Sequence, residues 1–169
     1  MNTDAAAEVV AGAPRVTRIV STALLVGPIR ILLGAVGLGV ARLGAAPAGS
    51  AGLAFTTAAA GMAIVVLKDP RRRFFERTEV EPLPKSALFR NRVQAVASAL
   101  YPSSLGLAVL VGIALGLGSD MLGVLLSGLL AGLGVAALVI GVDVLLRERR
   151  SGCRYYAGRG GEIYVRERA

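Results

Sequence analysis

Four long apolar stretches, Ile19–Val40, Ser50–Leu67, Val93–Leu117 and Met121–Val142, limit what this chain can fold into more than anything else in it. Only the first is interrupted by a charge, at Arg30. A run of about 18 or more apolar residues, rising 1.5 Å per residue as a helix, matches a hydrocarbon core ~30 Å thick. A helix in a water-soluble protein rarely needs such a run, because one of its faces meets water. Overall, 54% of the residues are hydrophobic and 18% charged, against about 25% charged in a soluble domain. The pattern predicts an all-α integral membrane protein with four transmembrane helices.

The basic residues predict how those spans are threaded. Of the 19 Lys and Arg residues, two lie at or before Arg18, eight between Lys68 and Arg92, and seven from Arg147 to Arg168. Arg42 alone falls between the first two spans. Lys and Arg near span ends favour the cytoplasmic side. Both termini and the central loop are therefore expected in the cytoplasm, in the plasma membrane of a prokaryote. On this reading the net charge of +8 reports topology and calls for no nucleic acid. A cleaved signal peptide is not expected: the first run exceeds a ~7–15-residue signal core, and Arg42 precedes the Ala46-Pro47-Ala48 motif.

An ungapped shift of 74 residues aligns one half of the chain with the other. Arg18 falls on Arg92, Pro28 on Pro102, Leu33 on Leu107, Asp69 on Asp143 and Arg73 on Arg147. The matches at Pro, Asp and Arg carry the weight, since those residues are rare in apolar spans. The repeat predicts two tandem helical hairpins, residues 15–67 and 93–146, joined by a basic cytoplasmic loop over 68–92. Residues 1–14 are Ala-rich and aperiodic and are expected to be disordered.

Each half carries a proline near the start of its first span, which allows two geometries. The span runs through Pro28 with a kink, or the crossing begins at Pro28 after a separate segment, Arg18–Gly27. An Arg at mid-membrane costs ~2.5–3.5 kcal/mol. Starting at Pro28 places Arg30 near the interface, where it can snorkel, at the expense of a crossing only ~17 residues long. The second geometry is preferred on that balance. Arg30 has no basic counterpart in the second half, where Ser104 stands, so it is the candidate for a specific role. The reading offers an interfacial anchor or an ion pair with Asp143, with Asp69 as the lesser partner.

Close helix packing in lipid needs small residues at four-residue spacing. Gly112 and Gly116 on the third span and Gly128 and Gly132 on the fourth are the candidates, within the bundle or between copies. Arg71, Arg72 and Arg73 beside Phe74 and Phe75 are placed to hold anionic headgroups. In the tail, residues 147–169, Arg154–Tyr156 and Glu162–Val165 read as strands about a Gly158–Gly161 turn, predicting a small cytoplasmic β-hairpin. Such a hairpin is marginal alone in water and is expected to dock or pair. The Gly-rich turn lacks the context of a nucleotide loop.

No catalytic constellation, metal cluster or cofactor motif is legible. There is no His, and the single Cys153 can form no internal disulfide. The expectation is a non-enzymatic accessory, structural or assembly protein, self-associating as a homo-oligomer or bound to a larger membrane partner. The alternative is an oligomeric transporter or channel subunit.

Overall fold

Among the described residues the first element is a strand: β1, Arg15–Arg18, runs without a break into α1, Ile19–Gly44. The computed structural model describes residues 14–44, 48–68, 80–84, 86–101, 103–158 and 162–167. After α1 come α2, Ala48–Lys68, two short strands, β2 (Glu81–Pro82) and β3 (Leu88–Phe89), and then α3, Arg92–Leu100. The second half continues with α4, Ser103–Gly116, α5, Asp120–Ser151, and the strands β4, Cys153–Ala157, and β5, Ile163–Glu167.

Among the described residues three helices, α1, α2 and α5, are long and apolar enough to cross a membrane, and the bent pair α3–α4 makes up to four if it is counted as one span. Large apolar side chains cover their outer faces, among them Leu32, Val36, Leu53, Val65 and Val109, each more than half exposed. Such a continuous apolar exterior suits lipid and not water. The protein is membrane-embedded.

α5 is the central helix. α1 packs antiparallel along one of its faces through glycines on both sides. A Cβ on Gly34 would stand 2.6 Å from the Ser127 carbonyl oxygen, and one on Gly134 would stand 2.6 Å from that of Gly27. α2 lies parallel along another face of α5, where a Cβ on Gly128 would meet the Phe55 carbonyl oxygen at 2.6 Å. Absence of a side chain lets backbones approach where lipid supplies no hydrophobic drive. α4 joins α5 through a tight turn at Gly118, whose φ of 74° favours glycine. At the far end Gly152, φ 69°, stops α5 as a left-handed cap.

The preferred crossing at Pro28 is not what forms in the first half. α1 continues through Pro28 as one helix of 26 residues. Proline in a helix interior loses one hydrogen bond and crowds the preceding turn. Here the turn is held against α5: a Cβ on Gly27 would lie 2.6 Å from Leu138 Cγ and 3.0 Å from the Gly134 carbonyl oxygen. In the second half the break does occur. Tyr101 is extended (φ −90°, ψ 139°), and α3 and α4 meet at a bend of 51°. The two halves are thus not built alike, and α2 and α4 make no contact comparable to that of α1 with α5.

The expected C-terminal strand pair is present, with Cys153 opposite Glu167 and Tyr156 opposite Tyr164. It is the middle of a larger sheet of five strands in the order β2-β5-β4-β1-β3. β1 pairs antiparallel with β4 and parallel with β3, while β2 pairs parallel with β5. Residues 15–18, read as the start of a helical hairpin, are a strand in this sheet. Val16, Tyr156 and Tyr164 form its small core, with Leu83 and Ala87 against them. Phe89 meets the Tyr156 ring edge-on, centroids 5.5 Å apart. The sheet sits at the basic end of the bundle, where α1 begins and α5 ends.

Candidate basic pocket under the sheet

The sheet folds back over the first turns of α1 and over α3, and between them is a pocket of about 240 Å³. Four arginines from three separate segments line it: Arg18 at the end of β1, Arg90 and Arg92 around the start of α3, and Arg154 on β4. Ser21, Thr22 and Leu25 of α1 and Val96 of α3 complete its walls. The Ser21 and Thr22 hydroxyls donate back to the Arg18 carbonyl, at 3.0 and 3.1 Å, which fixes the strand-to-helix junction.

Among the described residues one of the four guanidinium groups, that of Arg18, is paired with a carboxylate. Glu148, on α5 and 4% exposed, accepts from Arg18 Nη2 at 2.6 Å and, through its other oxygen, from the Tyr155 backbone N–H at 3.1 Å. Both of its oxygens are therefore engaged. The hydrogen bond to Glu148 raises the Arg18 pKa against the opposing effect of burial, so this cation stays charged. Arg90 Nη1 donates to Ser98 Oγ at 3.3 Å. The Nε groups of Arg18 and Arg154 are buried with no acceptor among the described residues. Buried donors of this kind are rare and call for an unseen acceptor. Four guanidinium groups around one cavity suit an anion.

Glu148 was the missed residue of this site. Its signal was its phase: it falls seven residues after Gly141 and fourteen after Gly134, on the stripe of α5 that packs against α1. Arg90 and Arg154 carried no signal beyond a basic flank, because the pairing of β1 with β3 and β4 brings them together.

Arg30 and Asp143 are not paired. Asp143 accepts from Arg147 Nε at 3.0 Å within α5, both side chains being exposed. Arg30 instead reaches the bend between α3 and α4. Its Nε donates to Ser104 Oγ at 2.7 Å, and its Nη2 to the Ala99 carbonyl at 3.0 Å and Ser103 Oγ at 3.3 Å. The last carbonyls of a helix lack internal donors, and a cation there also meets the negative end of the helix dipole. The bend therefore offers Arg30 a partner that an unbroken third span would not.

Of the four glycines expected to pack, Gly128 and Gly132 abut the carbonyls of Phe55 and Ala59 on α2. Gly112 and Gly116 have nothing within 4 Å of a Cβ position. They line an open apolar groove of about 530 Å³ between α1 and α4, with Leu33, Val36 and Val40 on its other wall. Arg71, Arg72 and Arg73 lie outside the described residues, as do Asp69 and Pro102. Among the described residues no group of three metal-ligating side chains occurs. No family model matches the sequence, and no curated protein or solved structure is significantly similar to it.

Proposed function

We propose that this chain is a small, non-enzymatic, four-span protein of a prokaryotic plasma membrane, with both termini in the cytoplasm and an accessory or assembly role. One observation carries the reading. Segments from before α1, between α2 and α3, and after α5 all hydrogen-bond in one sheet. Segments so joined lie on one side of the membrane. The chain must then cross and return in each half, which counts the bent pair α3–α4 with α5 as a hairpin like α1 with α2. The basic residues beside these strands favour the cytoplasm for that side. Spans that pack through glycine and alanine, beside a pocket built to hold an anion, suit a protein that organises lipid or partner chains better than one that moves a solute.

The single cysteine tests the topology without mutation. Cys153 sits in β4 and is partly exposed. A membrane-impermeant maleimide is expected to label it in inverted vesicles and not in intact spheroplasts. Labelling in spheroplasts would overturn the orientation. Purified into nanodiscs, the protein should show a defined mass and support no ion flux in liposomes. Flux from a homo-oligomer would instead establish a transport role.

A further inference from the structure

We propose that the pocket under the sheet binds the phosphate of an anionic phospholipid drawn from the adjoining leaflet. Arg18, Arg90, Arg92 and Arg154 line the pocket, and Glu148, which pairs with Arg18, already has both of its oxygens engaged. Among the described residues the pocket lining carries four cations and no carboxylate, and the buried Nε groups of Arg18 and Arg154 have no acceptor. A phosphate supplies several acceptor oxygens and suits the planar fork of arginine.

Placement points to a lipid as the source. The pocket opens where Arg18 gives way to the apolar run of α1, the level at which phospholipid headgroups meet a span. Its lower walls, Leu25 and Val96, are apolar, and Leu25 is 46% exposed on the outer surface of the bundle. A second cleft of about 260 Å³ shares Thr17 and Thr22 with the pocket. It is otherwise lined largely by apolar residues, including Ile19, Val26, Leu133 and Ile140. A headgroup in the first thus has space for the start of an acyl chain beside it. Basic pockets at the ends of spans are the usual sites for such headgroups. The inference rests on the membrane-embedded fold and holds for either orientation, so the labelling of Cys153 can fail without affecting it.

Native mass spectrometry of the full chain released from micelles tests it. The probes are phosphatidylglycerol, phosphatidylcholine of the same chains, and inorganic phosphate. Phosphatidylglycerol is expected to be retained in preference to phosphatidylcholine. Replacing Arg90 and Arg154 with Gln should weaken that retention about fivefold per arginine, whereas Arg149→Gln with Arg150→Gln, outside the pocket, should leave it unchanged. Equal retention of the two lipids by the native protein overturns the proposal, and that result needs no variant. So does an equal loss from the Arg149 and Arg150 changes, which would mean unspecific surface charge. If millimolar phosphate displaces phosphatidylglycerol, the ligand is a soluble phosphate and the lipid assignment falls. Should the Gln variant fold poorly, Arg154→Lys keeps the charge and loses the fork, and undiminished preference in it would count against the arginine geometry.

Discussion

Arg30 and Ser104 stand 74 residues apart and are hydrogen-bonded to each other at 2.7 Å. Gly37 and Val111, the same distance apart, also meet: a Cβ on Gly37 would lie 3.1 Å from Val111 Cγ1. α1 and α4 therefore run side by side in the register of that offset. The arginine of one half fills the place that the bend opens in the other.

Ser104 is 1% exposed, so losing its donor leaves a buried hydroxyl and the end of α3 without their cation. Arg30→Ala is expected to destabilise the protein in detergent by about 1.5–3 kcal/mol, the range for a charged hydrogen bond. In unfolding measurements Arg30→Ala and Ser104→Ala should couple by more than about 0.5 kcal/mol, while Arg30→Ala and Asp143→Ala should add. Coupling to Asp143 instead would restore the ion pair.

Glycines separate by what they touch. Gly34→Ala and Gly132→Ala drive a methyl into a backbone carbonyl of the neighbouring helix and should cost about 1–3 kcal/mol. Gly112→Ala and Gly116→Ala enter open space and should leave the melting temperature in dilute detergent unchanged. A fall in oligomer mass with either of the latter would show that a second copy covers the groove.

The Arg18–Glu148 pair ties the first strand to the last helix. Glu148→Gln keeps the shape and removes the charge, and is expected to cost about 1.5–3 kcal/mol. The loss should be read most clearly in hydrogen exchange of β1 and β4, with α2 unaffected. Uniform loss of protection would mean that the pair holds the whole bundle and not the sheet.

Burial raises the Tyr164 pKa above its ordinary value of 10.0, and the Glu162 and Glu81 carboxylates push in the same direction. The folded chain thus prefers the neutral phenol, and the unfolded chain ionises first. Sheet stability from this group is complete below pH 10 and declines as pH rises through that value and on through the folded pKa. A spectrophotometric titration should show a late tyrosinate fraction that Tyr164→Phe removes.

Sequence alone was enough for the parts that depend on summed local properties. Transfer of a window into lipid is nearly additive over its residues, so the apolar runs could be recognised and their ends fell within a few residues of α1 and α2. The β4–β5 pair was legible for a related reason: alternation and a glycine-rich turn lie within one short segment. Tertiary structure decided what needs two distant segments at once. Arg-Val-Thr-Arg at 15–18 is too short to declare itself a strand, and it becomes one because β3 and β4 take up its backbone hydrogen bonds. Pro28 and Pro102 look alike in sequence. One helix stays whole because a glycine seam clamps it to α5, and the other breaks, so Arg30 turns to the freed end of α3 and not to Asp143. The same reason governs the four pocket arginines: a charge on a flank reports only which side it is on, and its neighbours are chosen by strand pairing across the chain.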